Sequence, residues 1–528
     1  MRSAGLATFL VAAFLTAGAA QSPSYDLLIT GGQLVDGSGT PARRADVAIS
    51  HGRIAAIGRL SSSQAGEVID AAGLIVAPGF IDVHTHADRI AERPSADNFV
   101  RMGVTTVVAG NCGTSALDIT EALAEVQETG VSVNFATLIG HNTVRQAVMG
   151  TENRMPTVAE LAKMRSLVWR GMADGALGFS TGLQYIPGVY ARISEIIDLA
   201  RVTGNNGGVY ATHLRNEGTR LEAAIDEALR VGFSTGARVQ ISHLKVDSPS
   251  RWGASEKALA MIDASRAKGV QVLADQYVYT AASSSLSIRF PAWALEGGPS
   301  AISARLTDPA QWAKIRTEMR GLLAERGLDD LSFAVVASYR TDPALNGLSM
   351  RQVAAKLKGG ESLDAQLEAA RDLMLAGGAS MVYHLMSDRD AERIMRDPFV
   401  SFASDSGVLA PGEGTPHPRG YGNAARVLSE YVRTRKVLAV EEAVRRMTSL
   451  PAAHFRIERR GLIKEGFAAD VVLFDRREVR DAATYTQPHA YPDGIPHVLV
   501  NGVAVVKNGA HTGATPGVAI AKSLAVYR

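Results

Sequence analysis

Cysteine is almost absent: Cys112 is the only one in 528 residues. No intramolecular disulfide is therefore possible. Charge of one sign is equally scarce, since 55 basic and 53 acidic residues leave a net charge of +2 with no long run of either. That balance lacks the electrostatic footprint of a nucleic-acid partner or a polybasic membrane surface. After the first twenty-odd residues no apolar run is long enough to span a bilayer. What remains is 46% hydrophobic and 20% charged, the composition of a globular protein with ample core. The length suits about three average domains, or one barrel of about 250 residues carrying insertions.

The N-terminal segment has the parts of a secretory leader. Met1-Arg2 supplies a positive start, Leu6 to Ala17 is largely apolar, and Ala17-Gly18-Ala19-Ala20 offers a small-residue cleavage site. The pattern predicts a signal peptide over residues 1–20 rather than a membrane span. It predicts an exported, periplasmic protein, with no membrane attachment after cleavage because no cysteine near the site could take a lipid. A free thiol in an oxidising compartment is a liability unless it is buried or bonded to metal. Cys112 lies in Gly110-Asn111-Cys112-Gly113, directly after the apolar run Thr105-Thr106-Val107-Val108-Ala109.

The chain has a repeated rhythm. Tyr25 to Val76 is rich in short strand patterns with turn punctuation and has no good helix; the segments Ala469–Phe474 and His497–Val503 look alike. Between these flanks, strand-like runs alternate with helical patterns. Eight runs stand out: Phe80–His84, Thr105–Ala109, Val133–Ile139, Ala176–Ser180, Val209–His213, Val239–His243, Val270–Asp275 and Val400–Asp405. Such alternation implies a parallel sheet, and eight repeats imply an α/β protein built on a (β/α)8 barrel. The two β-rich flanks, 21–77 and 459–528, would pair into a small discontinuous β-sandwich beside a barrel over 78–458. An insertion at about 281–397, with candidate extra strands at Phe333–Ala337 and Met381–Leu385, is expected to cover the catalytic face as a lid.

The strand ends carry metal-competent side chains. His84 and His86, two apart after Pro78-Gly79, project from the same face of the first run. Cys112 follows the second run, His213 ends the fifth, His243 the sixth and Asp405 the eighth. Active sites of such barrels lie at these ends, and six such side chains on one rim read as a metal site.

With those residues in view, Gly79-Phe80-Ile81-Asp82-Val83-His84-Thr85-His86 together with the cysteine, histidines and aspartate resembles the amidohydrolase superfamily. Gly110-Asn111-Cys112-Gly113, Thr212-His213-Leu214-Arg215-Asn216-Glu217, Ile241-Ser242-His243-Leu244-Lys245 and His417-Pro418-Arg419 resemble the D-aminoacylases, the N-acyl-D-amino-acid deacylases. Many members of the superfamily bridge two metals with a carboxylated lysine from the fourth strand; Gly175 to Ser180 contains no lysine. The resemblance implies a tightly held Zn2+ on Cys112, His213 and His243, and a second, weaker position on His84, His86 and Asp405. It implies that Asp405 takes a proton from the attacking water and returns it to the leaving nitrogen. Lys245, Arg419, Tyr185 and Tyr277 would bind a small-molecule N-acyl-D-amino acid, the first two at its carboxylate. Valine at position 278, where relatives often have proline, departs from the pattern beside Tyr277. His141, His384 and His417 are expected to be structural or to support the site from behind. Three readings follow: a zinc-dependent deacylase, the same metal site acting on an Xaa-D-Xaa dipeptide or a cyclic amide, and a metal-free scaffold that keeps the fold without the chemistry.

Overall fold

A computed structural model describes residues 24–522. The leader expected over residues 1–20 lies outside the described residues.

The eight runs form parallel strands whose order around the molecule is their order in the chain. They are β1 (Phe80–Asp82), β2 (Val104–Ala109), β3 (Asn134–Thr137), β4 (Gly178–Gly182), β5 (Val209–His213), β6 (Arg238–Ile241), β7 (Val272–Gln276) and β8 (Val400–Phe402). β2 lies between β1 and β3. A two-residue continuation of β3, Ile139–Gly140, pairs with β4, and the ladder then runs through β5, β6 and β7 to β8. Ser406–Gly407, just beyond β8, pairs in parallel with Thr85–His86, just beyond β1. The Asp405 amide donates to the His84 carbonyl at 2.9 Å. The last strand thus returns beside the first.

Burial explains these strands. All six residues of β2, Val-Thr-Thr-Val-Val-Ala, are buried, as expected where helices cover one face of a parallel sheet and side chains fill the other. The helices between strands are amphipathic. Along Leu221–Thr235 the buried positions Leu221, Ala224, Ile225, Ala228, Leu229 and Gly232 follow the three-and-four spacing of one helical face. Thr157 opens Val158–Ala173 with a capping box closed by Glu160.

Several strand limits differ from the sequence expectation: β1 ends at Asp82 and β8 at Phe402, so His84 and Asp405 lie just beyond their strands. The fourth strand runs to Gly182, in register with His213, rather than ending at Ser180. The sixth ends at Ile241, so His243 sits in the following loop and not on the strand.

The flanks meet in one sheet. A seven-stranded sheet takes Ala510–His511, Val503–Lys507, His497–Val500 and Val471–Phe474 from the C-terminal side and Ile75–Pro78, Gln33–Leu34 and Arg43–Arg44 from the N-terminal side. A second, four-stranded sheet holds Tyr25–Thr30, Asp46–Ser50, Arg53–Gly58 and Ala65–Asp70. Leu27, Ile29, Val47 and Ile49 share a core with Val471, Leu473 and Leu499.

Between β7 and β8 stands an antiparallel sheet ordered Ala282–Ser285, Ser380–Tyr383, Ala334–Ser338. Four helices accompany it, Gly298–Thr307, Pro309–Glu325, Met350–Lys358 and Leu363–Leu375, around an apolar core of their own that includes Leu306, Ile315, Met350 and Leu367. The first strand, Ala-Ser-Ser-Ser, carries no apolar alternation and had no signal in the sequence.

Candidate metal centre

Every donor side chain lies at, or a few residues beyond, the C-terminal end of a parallel strand. The Cys112 Sγ lies 3.4 Å from His84 Nε2, 3.8 Å from His213 Nδ1 and 3.7 Å from His243 Nε2. His213 Nδ1 and His243 Nε2 are 2.8 Å apart. Asp405 Oδ1 lies 3.4 Å from His84 Nε2 and 3.1 Å from His86 Nε2. Three overlapping groups result, His84–His86–Cys112, Cys112–His213–His243 and His84–His243–Asp405, and within each the donor atoms lie within 4.8 Å of one another. All six residues expected at the centre are brought together. Only His86, with a side chain 40% exposed, opens to solvent.

The rings are aimed by groups behind them. His213 turns Nε2 to the Gln184 side-chain oxygen at 2.9 Å, leaving Nδ1 toward the thiol. His243 turns Nδ1 to Glu217 Oε1 at 2.8 Å, leaving Nε2 inward. His84 Nδ1 lies 3.2 Å from Asp275 Oδ1, an oxygen that also accepts the His243 backbone N–H at 2.7 Å. For His213 the acceptor behind the outward nitrogen favours the tautomer that presents a lone pair to the centre, whereas His243 Nδ1 also has the Lys245 Nζ at 2.8 Å and the His84 Nδ1 makes no hydrogen bond.

The electrostatics favour anionic donors. Burial pushes the Cys112 thiol up, but the neighbouring His84 charge and hydrogen bonding to His213 and His243 outweigh it and hold the thiol well below its usual range. Burial likewise opposes ionisation of Asp405, and Arg419, His84 and His243 overcome it to keep the carboxyl well below the ordinary value. A thiolate, imidazoles and a carboxylate converging in this way are the donor set that suits zinc.

Tight backbone makes the convergence possible. A Cβ on Gly182 would meet the Cys112 carbonyl at 2.0 Å, and one on Gly110 would meet the Leu138 carbonyl at 2.2 Å. Glycine alone lets the cysteine loop lie this close to its neighbours. Three of the donors are themselves left-handed: Cys112 at φ 53°, His243 at φ 36° and Asp405 at φ 51°.

The four residues expected at the substrate border the same cavity, whose volume is about 460 Å³. The Arg419 Nη1 lies 2.9 Å from Asp405 Oδ2, and its guanidinium stacks 4.4 Å from the Tyr277 ring centroid. Lys245 Nζ reaches Glu217 Oε1 at 2.7 Å. The Tyr185 hydroxyl is 3.2 Å from the Ser284 hydroxyl of the inserted sheet and 3.4 Å from His213 Nδ1. The Tyr277 hydroxyl points to the Met386 sulfur at 3.7 Å.

Of the other histidines, His417 accepts the Arg419 backbone N–H at 3.0 Å and donates to the Ala281 carbonyl at 2.9 Å, so it anchors the turn that carries Arg419. His141 pairs with Glu195 at 2.8 Å, next to Arg145 on the same carboxylate. His384 packs its ring 4.7 Å from Tyr485. The sequence reading gave no role to Glu217, Asp275 or Gln184. Glu217 stood four residues after His213 and Asp275 at the end of the seventh run, and a carboxylate at a strand end was the available signal.

This architecture agrees with the comparisons. The chain belongs to the amidohydrolase family, whose sequence model matches residues 67–506. Within that family it is 35% identical to a D-aminoacylase of Alcaligenes xylosoxydans xylosoxydans, across 96% of this chain and 99% of the relative. It is 37% identical to an N-acyl-D-glutamate deacylase of the same organism, across 91% of this chain and 93% of that one. Among solved structures, the N-acyl-D-glutamate deacylase from Bordetella bronchiseptica, complexed with zinc and a phosphonate inhibitor, superposes with a TM-score of 0.81 at 34% identity, covering 94% of this chain and 100% of the other.

Proposed function

We propose that this chain is a zinc-dependent hydrolase that cleaves the amide bond of N-acyl-D-amino acids, releasing a carboxylate and a free D-amino acid. The observation that carries the reading is the meeting of the Cys112, His213 and His243 donor atoms with an Asp405 carboxylate turned toward the same cavity. Cys112, His213 and His243 would hold the tight zinc, and His84, His86 and Asp405 a second, weaker position. Zinc bound there supplies Lewis acidity to a scissile carbonyl and makes a nearby water a better nucleophile.

The chain's own groups do the rest. Asp405 accepts the proton of the attacking water and delivers it to the leaving nitrogen. Arg419 and Lys245 fix the substrate carboxylate, with Arg419 offering a planar fork and Lys245 a point charge. Tyr185 and Tyr277 line the same cavity. With carboxylate and carbonyl both held, exchanging the α-carbon configuration would drive the side chain into the wall, so handedness follows from two fixed corners.

One observation disfavours a cyclic amidase. β4 reads Gly-Phe-Ser-Thr-Gly and offers no lysine to bridge metals as in cyclic amidases. The eight parallel strands are read as a (β/α)8 barrel and the two flanking sheets as a discontinuous sandwich, with borders near residues 78 and 458. Export to the periplasm, suggested by the leader sequence, is part of the same proposal. Assay of the purified protein against N-acetyl, N-formyl and N-succinyl D-amino acids, their L-enantiomers and Xaa-D-Xaa dipeptides tests it. Turnover of the D-acyl series with zinc in the protein supports the reading, and a preference for L-substrates or for dipeptides overturns it.

A further inference from the structure

The metal centre lies at the C-terminal ends of the parallel strands. The opposite face, at their N-terminal ends, gathers three cations. Arg238 opens β6. Arg456 caps the C-terminus of the helix Ser449–Phe455. Lys522 ends the segment that crosses this face. There the Phe135 amide of β3 donates to the Val518 carbonyl at 2.9 Å, and the Ile520 amide donates back to the Phe135 carbonyl at 2.7 Å. The Lys522 amide donates to the Gly175 carbonyl, ahead of β4, at 2.9 Å. Ile520 packs against a core cluster that includes Leu177, Val209 and Phe455.

Two adjacent residues bring the cations together. The Lys522 ammonium donates to the Asn206 carbonyl, and a Cβ on Gly207 would lie 2.5 Å from Arg456 Nη1. Ammonium and guanidinium therefore rest against one turn, the turn that leads into β5. Arg238 shares their field: burial and then the Arg456 charge lower its pKa. Burial and then the charges of Arg456 and Arg238 pull the Lys522 ammonium down to about 8. Among the described residues, none of the three cations has a carboxylate in ion-pair contact. Arg238 Nε donates to the Gln271 side-chain oxygen at 2.8 Å, while its Nη1 is buried with no hydrogen-bond partner. Like charges held this close without a counter-charge destabilise the fold. Arg456 adds the cost of a left-handed backbone at φ 56°.

We infer that Arg238, Arg456 and Lys522 form a binding site for a polyvalent oxyanion of the phosphate class, on the face of the molecule away from the metal centre. Three cations outmatch a single carboxylate and suit an anion of two or more charges, whose several oxygens can accept from both guanidinium groups and the ammonium. Catalysis in barrels of this kind belongs to the other face, so the anion stabilises the fold and takes no part in the reaction. The inference does not depend on the deacylase reading.

Thermal melting of the zinc-loaded protein tests it, with the wild type beside a triple variant, Arg238→Gln, Arg456→Gln and Lys522→Gln. Glutamine keeps a polar side chain at each site and the same backbone cost at position 456. In chloride the variant should melt no lower than the wild type, because the repulsion is gone. Inorganic phosphate at matched ionic strength should raise the wild-type Tm by about 2–4 °C more than that of the variant, by mass action on the folded state. Acetate should raise neither, and kcat/KM should be the same in both proteins. Phosphate held at the metal would raise both alike, so an equal rise overturns the inference, as does no rise in the wild type. A wild-type rise with acetate as large as with phosphate overturns the assignment to a polyvalent anion. A second reading needs no variant: phosphate should slow modification of Arg456 by phenylglyoxal, followed by peptide mass spectrometry. An unchanged rate of modification overturns the site whatever the variant does to folding.

Discussion

Arg419 holds Asp405 by one oxygen while the other oxygen faces the histidines: Nη1 lies 2.9 Å from Oδ2, and Oδ1 lies 3.1 Å from His86 Nε2. One guanidinium therefore pairs with the proposed proton carrier and also borders the cavity where a substrate carboxylate would sit. The two roles have separable consequences.

Arg419→Met should lower kcat/KM for N-acyl-D-amino acids by about 2–4 kcal/mol, the loss of a charge-assisted, partly buried pair. The corresponding amides, which have no carboxylate to hold, should lose less. Burial opposes ionisation of Asp405 and Arg419 is the largest influence against it, so removing the arginine raises that pKa. The carboxylate form then disappears at a higher pH, and the acidic limb of the rate profile should move upward. Equal losses on acid and amide with an unmoved limb would reduce Arg419 to a support of the fold.

Asp405→Asn should retain zinc on Cys112, His213 and His243 and lose about 10²–10⁴ in turnover. The amide nearly matches the carboxylate in size but cannot accept a proton. Metal analysis beside steady-state rates decides the matter: complete metal loss would make Asp405 a primary ligand, and a near wild-type rate would remove it from the chemistry.

Cys112→Ala should lose tightly bound metal and activity together, because one donor of three is gone. Zinc content after dialysis and turnover on the same sample are the two readings. A variant with full zinc and full rate would show that Cys112 is only a buried apolar residue.

His454 gives a pH prediction away from the metal. Its imidazole is 6% exposed and its Nε2 lies 3.1 Å from the Val239 carbonyl. Burial, helped by the Arg238 charge, pulls its pKa down from 6.5 to about 3. The folded protein thus keeps the ring neutral where the unfolded chain would protonate it. Its contribution is fully present above about pH 6.5 and is lost as pH falls toward 3, by at most about 1.4 kcal/mol per pH unit. His454→Gln, which keeps a donor for Val239, should flatten stability between pH 6 and 4 in denaturant titrations. Parallel slopes for the two proteins would contradict the assignment.

Periodicity and strand ends made much of this legible. β5 matched its run at both ends, from Val209 to His213, because β-branched residues, a flanking glycine pair and a terminal histidine all agreed. The donors were readable because each stands at the end of such a run. Their orienting partners were not. Glu217 serves both His243 and Lys245, and Asp275 serves both His84 and His243, yet these partners come from different strands, His84 and Asp275 from strands that are not neighbours. A carboxylate in a sequence does not say which base it will face. The inserted strand Ala282–Ser285 escaped notice because its small polar residues pair by backbone alone.

The left-handed backbone at Cys112, His243 and Asp405 has a consequence for how this protein tolerates change. An L-residue in that conformation costs about 1–2 kcal/mol that glycine does not. At these positions the usual ranking of substitutions is inverted: a glycine variant should melt later than the alanine variant, and both can be compared without zinc. The chain therefore sits below the stability its own fold could reach, and the shortfall is concentrated in the residues it would need for catalysis. For the fold alone glycine would serve better at these three sites, so cysteine, histidine and aspartate stand there for what their side chains do.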